Sequence, residues 1–252
     1  MSAPAAAPVR RVEHVMGMPV TIAVRDAGMP AGALDEAFEW LRFVDATFST
    51  YRPDSEISRL NRGLLSPADA HPLVRTVLER CERLRVQTGG AFDARAPLPG
   101  RLDPSGLVKG WAVEQAAARL AEAGVSRFCI DAAGDVRVHG DAPWRIGIRH
   151  PRRRRRLAAV VALADGAVAT SGAYERGDHI VDPRTGRPAK GLLSATVVGP
   201  DLGAADAYAT AAFALGPDGP TWTATLDGYE AMTIRADETV LTTPGFARYR
   251  AG

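Results

Sequence analysis

The hydrophobic pattern of this chain changes near Gly124, and the change limits the folds that the chain can adopt. Before that point apolar residues recur every three or four positions, as in helices with one buried face. After it, short extended runs alternate with Gly, Asp and Pro until one last helical stretch. The pattern predicts an α+β fold, a single compact domain of mixed or antiparallel strands with flanking helices, and leaves a division into two lobes open.

The predicted elements follow that division. The helices are expected at residues 32–49, in a short segment capped by Asp54, and at residues 72–88, 109–123 and 204–215. The strands are expected at residues 19–24, 128–131, 136–138, 145–148, 158–163, 195–198, 230–234 and 240–242. The small, proline-rich residues 1–9 are expected to be flexible, because they cannot bury enough surface to offset the entropy of ordering. Residues 10–252 are expected to form the domain.

Composition excludes several classes of function. Lys and Arg number 31 and Asp and Glu 29, a net charge of +2, which argues against a nucleic-acid or membrane-surface binder. Cys81 and Cys129 are too few for a disulfide framework or a zinc cluster and are interpreted as buried thiols. No apolar run approaches the ~18 residues of a membrane span, and the first residues lack a long apolar core. A cytoplasmic protein without a membrane segment is therefore expected.

Residues 170–188, TSGAYERGDHIVDPRTGRP, concentrate polar side chains in a segment with little apolar pattern. Functional loops have this character because a scaffold presents their side chains to a ligand. A plain hairpin turn is an equally good interpretation of DPRTG, since Asp182 can bond its own backbone downstream and Gly186 can adopt positive φ. That interpretation leaves Glu175 and His179 unexplained.

Residues 201–216, DLGAADAYATAAFALG, form a helical pattern in which Asp206 and Thr210 lie four apart and point the same way. A carboxylate and a hydroxyl are hard oxygen donors, so the pair is a plausible half-site for a phosphate-bound Mg²⁺. The structural alternative is that Asp206 only complements the helix dipole and Thr210 bonds back to a carbonyl.

Two further segments carry weaker signals. LDPSGLVKGW, residues 102–111, frames Lys109 with glycines at a helix start, which favours phosphate, although its spacing is not that of a P-loop. The arginine run at residues 152–156 lies between two predicted strands. A solvated hairpin loop explains this run better than a nucleic-acid patch does.

Taken together, these motifs resemble the ApbE family, the FAD:protein FMN transferases. The resemblance runs in order along residues 16–216 through MGMPVTIAV, FSTYRPDSEISRLN, TGGAFDA, LDPSGLVKGWAVE, IDAAGDVRVHG, ATSGAYERGDHIVDPRTGRP and AADAYATAAFALG. It implies an ApbE-like domain that uses Mg²⁺ and consumes FAD. It also implies a partner, an acceptor flavoprotein carrying a Thr/Ser flavinylation motif.

The resemblance also assigns residues. Asp206 and Thr210, with the backbone oxygen of Gly106, match the positions that hold Mg²⁺, and His179 matches a histidine proposed to assist proton transfer. The positions that match FAD contacts are Met16, Tyr51, Ala91, Phe92, Asp93, Asp103, Lys109 and Ile180. Elementary chemistry agrees, because Mg²⁺ and Lys109 would neutralise the FAD pyrophosphate while an aromatic side chain packs on a ring system.

The sequence departs from the family pattern in three places. Ala209 stands where many members have an additional metal-site carboxylate, Ala133 where a glycine is common, and the stretch between Asp93 and Asp103 is short. The expected reaction is transfer of the FMN half of FAD to a Thr or Ser hydroxyl, forming a phosphoester and releasing AMP. Two alternatives stay open: hydrolysis of FAD to FMN and AMP, and flavin binding without catalysis.

Overall fold

The computed structural model describes residues 9–95, 101–153, 155–172 and 180–251. The helices are α1 (Ala33–Phe48), α2 (Glu56–Asn61), α3 (Pro72–Gln87), α4 (Ser105–Glu122), α5 (Leu202–Leu215) and α6 (Gly219–Thr223). Two short 3₁₀ helices cover Gly216–Asp218 and Pro244–Tyr249. Within these described ranges, no helix is both long enough and apolar enough to cross a bilayer.

The strands form one large antiparallel sheet and two small hairpins. They are β1 (Val9–Val15), β2 (Met18–Val24), β3 (Phe128–Ala132), β4 (Asp135–His139), β5 (Trp144–Arg149), β6 (Leu157–Leu163), β7 (Gly166–Gly172), β8 (Val181–Asp182), β9 (Arg187–Pro188), β10 (Leu192–Gly199), β11 (Glu230–Arg235) and β12 (Val240–Thr242). The eight-stranded sheet has the order β1-β2-β3-β4-β7-β10-β11-β12, and β5-β6 and β8-β9 pair separately. The predicted α+β class is confirmed.

The sheet separates two apolar cores. On one face it packs against α1, α4 and α5, whose buried residues include Phe38, Leu107 and Leu202. On the other face it packs against the β5-β6 hairpin, through Trp144 and Val161 among others. Because one sheet contributes side chains to both cores, the described residues form layers around it rather than two separate lobes.

Several boundaries differ from the predictions. Strand β1 was not predicted because its sequence, VRRVEHV, is mostly polar; it is an edge strand, and its pairing with β2 fixes it. It begins at Val9, which was expected to belong to the flexible segment; residues 1–8 lie outside the described part. Strand β7 was also missed, because it is buried on both faces and its small residues show no alternation.

Helix α4 begins at Ser105 rather than at Lys109. The Asp103 carboxylate accepts a hydrogen bond from the Ser105 backbone N–H (3.0 Å) next to this start. Gly106 and Lys109 therefore both lie in the first turns of one helix. Lys109, predicted to lie at the start of the helix, is its fifth residue.

Helix α5 is buried almost entirely around its circumference, which is why an alanine-rich sequence without a polar stripe forms it. The Asp201 side chain caps it by accepting a hydrogen bond from the Ala204 N–H (2.6 Å), and Arg80 pairs with the same carboxylate at 2.5 Å. The Glu114 carboxylate also accepts from the Leu202 N–H (2.8 Å). The start of α5 is thus held by both α3 and α4.

The predicted turn at DPRTG is confirmed. The Asp182 carbonyl accepts hydrogen bonds from the N–H groups of Thr185 (3.1 Å) and Gly186 (2.9 Å), and Gly186 has φ +67°. The Asp182 carboxylate also pairs with Arg184 at 2.9 Å. This hydrogen bonding keeps the pKa of Asp182 below its ordinary value.

The cysteines agree in part with the prediction of buried thiols. Cys81 is buried and Cys129 is half-buried. Burial raises the pKa of both thiols to about 12, so neither is a reactive thiolate near neutral pH.

Ala133 occupies a strained position in the β3-β4 hairpin. It has φ +54° and is exposed, and Gly134 beside it has φ +96°. A left-handed conformation costs a non-glycine residue ~1–2 kcal/mol, while glycine costs ~0.5–1 kcal/mol of unfolded-state entropy. Ala133→Gly is therefore expected to raise the free energy of unfolding by up to about 1 kcal/mol in urea denaturation.

The matched control is Ala27→Gly, in an exposed turn where the backbone does not have a positive φ. There glycine relieves no strain and should lower the unfolding free energy slightly. A loss of stability in both variants would show that the backbone at Ala133 is unstrained.

Candidate active site

Several of the predicted site residues lie at one end of the eight-stranded sheet. The antiparallel register brings the β1-β2 turn at residues 16–17, the β3-β4 turn at residues 133–134 and the C-terminal end of β7 to that same end. The first turns of α4 pack against α5 there. At Gly110 the helices approach so closely that a Cβ would lie 2.5 Å from the Leu202 carbonyl oxygen.

Three charged side chains meet between α4, α5 and β4. Lys109 Nζ lies 3.6 Å from Asp206 Oδ1 and is in direct contact with Asp135 Oδ2. Asp206 and Asp135 are only 3% and 1% exposed. The Gly110 N–H donates to Asp206 Oδ2 (3.1 Å). Burial raises the pKa of Asp206 far above that of a free carboxyl, and Lys109 opposes this rise.

Thr210 lies one turn beyond Asp206, as the spacing predicts. Its hydroxyl is 3.2 Å from the Ser171 hydroxyl at the end of β7. A Cβ on Gly106 would lie 3.8 Å from Thr210 Oγ1, which places the α4 backbone beside this hydroxyl. The three predicted metal-binding residues, Gly106, Asp206 and Thr210, therefore lie together where α4 crosses α5.

Their chemistry fits a hard cation. A carboxylate, a hydroxyl and a backbone carbonyl are all oxygen donors, the type that Mg²⁺ prefers, and Mg²⁺ commonly completes its shell with water and substrate phosphates. Among the residues that the structure describes, no group of three or more His, Cys, Asp or Glu side chains is arranged to hold a metal ion. A cation here would be bound by the single carboxylate of Asp206, with the Thr210 hydroxyl, the Gly106 carbonyl and substrate phosphates supplying further oxygens.

The glycine-rich motif borders the same place. Ala91 and Phe92 are buried, and the Phe92 ring is 3.1 Å from where a Gly106 Cβ would lie. The Asp103 N–H donates to the Ala94 carbonyl (2.6 Å), so the segments containing Asp93 and Asp103 run side by side. Both carboxylates contribute to the raised pKa of Cys81, which agrees with their proximity.

The remaining predicted contacts are more scattered. Met16 lies in the β1-β2 turn with φ +55° and packs against the main core. Tyr51 is 93% exposed, so its ring is available as a face for a ligand. Ile180 is half-buried against the apolar cluster containing Leu192 and Phe213, beside α5. His179 lies outside the described residues.

Three residues were given no role by sequence reasoning. Asp135 belongs to the IDAAGD motif and Ser171 to the crowded polar segment, but nothing local connects either with α4 or α5. Asn61 exchanges two hydrogen bonds with the backbone of Leu102, at 2.9 and 2.6 Å, and so fixes the chain just before Asp103. The one sequence signal that could have pointed to Asp135 is its place directly after the tight turn at residues 133–134.

The sequence profile of the ApbE family matches residues 16–98 and 94–233. This chain belongs to the ApbE family. Among curated relatives, an FAD:protein FMN transferase of Rhodobacter capsulatus is 35% identical over 156 residues, which cover 57% of this chain and 30% of that protein. One from Vibrio cholerae is 28% identical over 239 residues, covering 71% of this chain and 72% of that protein. The chain thus spans under a third of the first relative's length.

Solved structures share the fold. The ApbE protein of Thermotoga maritima superposes with a TM-score of 0.87 at 22% identity, covering 97% of this chain and all of that one (100%). The flavin transferase ApbE of Vibrio cholerae gives a TM-score of 0.84 at 24% identity, covering 96% and 99%. These likenesses establish the ApbE fold for the arrangement of sheet and helices described above.

Proposed function

We propose that this chain is an FAD:protein FMN transferase that uses Mg²⁺ and an acceptor protein with a Thr/Ser flavinylation motif. The observation that carries the proposal is the group of half-buried Lys109, buried Asp206 and half-buried Thr210 at one end of an ApbE sheet. A cation and hard oxygen donors in one partly enclosed place suit a pyrophosphate. Curated relatives named FAD:protein FMN transferase support the same reaction.

The proposed step is a displacement at the FMN phosphorus. The acceptor hydroxyl oxygen forms the new P–O bond, the bond from phosphorus to the bridging oxygen breaks, and AMP leaves with that oxygen. Asp206, Thr210 and the Gly106 carbonyl would hold Mg²⁺, which when bound supplies charge neutralisation at the phosphates. Lys109 would add a second positive charge and orient the pyrophosphate.

The positions of two aromatic residues suggest how the flavin would be contacted. Phe92 closes the site beside Gly106, and the exposed ring of Tyr51 offers a face for an aromatic ring system. Met16, Ala91, Asp93, Asp103 and Ile180 are proposed to complete the FAD site as the family resemblance implies. A cytoplasmic location and the absence of nucleic-acid partners stay predictions from the sequence.

The test is a reaction of the purified chain with FAD and Mg²⁺, with and without a candidate acceptor encoded beside it. Transfer predicts a flavin-fluorescent acceptor band on a denaturing gel and AMP in equal amount. FMN and AMP without an acceptor would identify a hydrolase, and bound yellow FAD with no AMP would identify a flavin-binding protein. AMP release that persists in metal-free protein with excess chelator would exclude the metal role.

His179 is proposed as the base that accepts the proton of the acceptor hydroxyl. An imidazole must be neutral to do this, so the rate at saturating FAD and acceptor is expected to fall as pH drops through its pKa. His179→Gln should lose this acid limb and ~10²–10⁴-fold in rate while still binding FAD. If the variant keeps the acid limb and near-normal turnover, another group takes the proton.

The arginine run is expected to be dispensable. Arg152 and Arg153 are exposed and pair with Glu238 at 3.3 and 3.0 Å, on the turn between β11 and β12. Exposed ion pairs of this kind contribute little, so serine throughout residues 152–156 should leave flavin transfer intact. A collapse of the rate at saturating FAD would instead assign these arginines to acceptor docking.

A further inference from the structure

We propose that Asp135 is a positioning residue: it holds the Lys109 ammonium group so that the Asp206 carboxylate stays available to a divalent cation. This inference rests on the metal site in the proposed function and adds a residue to which no role has been assigned. Asp135 acts through Lys109 and is not itself placed among the cation's ligands.

The anchoring of Asp135 is the first observation. It is the first residue of β4, directly after the tight turn at residues 133–134, and is 1% exposed. Its Oδ1 accepts a hydrogen bond from the Thr170 backbone N–H (3.0 Å) on neighbouring β7. The carboxylate is therefore fixed to the sheet at two points, by its own strand and by the next.

The position of Lys109 is the second observation. Its Nζ contacts Asp135 Oδ2 but is 3.6 Å from Asp206 Oδ1, beyond hydrogen-bond distance. The ammonium group thus lies nearer to the sheet carboxylate than to the helix carboxylate. Asp206 keeps the Gly110 N–H on Oδ2 and leaves Oδ1 less closely engaged.

The energetic consequence follows from charge. One ammonium group between two buried carboxylates leaves one negative charge in excess, which favours a divalent cation. If Asp135 lost its charge, Lys109 would have Asp206 as its carboxylate partner here, and an incoming cation would have to displace it. A unit charge a few ångströms away in a partly buried site changes cation affinity by roughly 10- to 100-fold.

The experiment measures Mn²⁺ binding to the metal-free protein of residues 1–252, without FAD, by titration calorimetry and by the electron paramagnetic resonance of free Mn²⁺. Asp135→Asn is expected to weaken Mn²⁺ binding roughly 10- to 100-fold. Adding Lys109→Met to that variant removes the competing ammonium group and should restore most of the affinity. A residue that only maintained the fold would not be rescued in this way.

The matched control is Asp131→Asn, the same substitution in the same hairpin. Asp131 is exposed, and its Oδ1 accepts from the Gly134 N–H (2.8 Å), a bond that an asparagine oxygen also accepts. This variant should bind Mn²⁺ like wild type. Lys109→Met alone should bind Mn²⁺ more tightly than wild type, which keeps the test valid if Asp135→Asn does not fold.

The outcomes separate the two proposals. Equal Mn²⁺ affinity in wild type and Asp135→Asn, a loss that Lys109→Met does not rescue, or weaker binding by Lys109→Met alone would each overturn the role of Asp135. Those results would leave the metal site of the proposed function intact. Wild-type protein that binds no Mn²⁺ would overturn that site and this inference together.

Discussion

Asp206→Asn is expected to reduce flavin transfer by ~10²–10³-fold or more while the protein stays folded. The substitution removes the only charged donor in the proposed set of Asp206, Thr210 and the Gly106 carbonyl. It also removes the α5 carboxylate that lies 3.6 Å from the Lys109 ammonium group and balances its charge. The measurement is AMP release and acceptor flavinylation at saturating FAD and Mg²⁺.

Activity and stability measured together on the same variant distinguish a functional role from a structural one. If Asp206 served only the dipole of α5, its loss would cost ~0.3–1 kcal/mol and leave activity intact. Instead, Asp206 is buried and α5 already has a cap in Asp201. Removing one of two buried carboxylates that share one ammonium group leaves a neutral pair, and asparagine still accepts from the Gly110 N–H. We expect the unfolding free energy to change by no more than about 1 kcal/mol.

The control is Asp218→Asn, the same change at an exposed Asp beyond the other end of α5. It should match wild type in activity and in urea denaturation. Parallel loss of fold and activity in Asp206→Asn would instead assign Asp206 to the structure of α5.

Gly110→Ala is expected to have the largest effect on stability. The new Cβ would lie 2.5 Å from the Leu202 carbonyl oxygen and 2.9 Å from Asp206 Cβ, so α4 and α5 would have to move apart. The gain in helix propensity, ~1 kcal/mol, is smaller than the cost of such overpacking against backbone. We expect a net loss of ~1–3 kcal/mol in the unfolding free energy and, because Lys109 and Asp206 separate, a large fall in activity.

Gly106→Ala, in the same helix, provides the comparison. Its Cβ would be 3.1 Å from the Phe92 ring, a side chain that can shift, rather than from backbone. Both variants replace a glycine of α4 by alanine, and any difference in propensity favours the interior position 110, so a lower denaturant midpoint for Gly110→Ala reports the contact between helices. If Gly110→Ala is as stable as Gly106→Ala, the close packing of α4 on α5 does not limit stability.

Local patterns were sufficient for several parts of the fold. The apolar stripe of α1 and the stripe of α3 predicted both helices to within two residues. Asp182 and Gly186 predicted a turn because its hydrogen bonds and its positive φ involve neighbouring residues only. The four-residue spacing of Asp206 and Thr210 likewise predicted that they share a helix face, because helical geometry fixes that relation.

The same patterns did not locate elements that depend on partners. Strand β1 is polar and is held by hydrogen bonds to β2, and β7 is a run of small residues between β4 and β10. Helix α4 starts at Ser105, four residues before the predicted start, and the chain just before it is held by the two hydrogen bonds between Asn61 and Leu102. In each case the decisive interaction involves a partner that a hydrophobic period does not register.

Sequence patterns were enough to predict the helix periods, the turn chemistry and, through the order of the motifs, membership of the ApbE family. Tertiary packing alone brings the carboxylates of Asp135, on β4, and Asp206, on α5, to the Lys109 ammonium group of α4. Helix periods and turns are predictable because the hydrogen bonds that form them join residues only a few positions apart. The meeting of distant side chains depends on sheet register and on the close approach of α4 to α5 at Gly110.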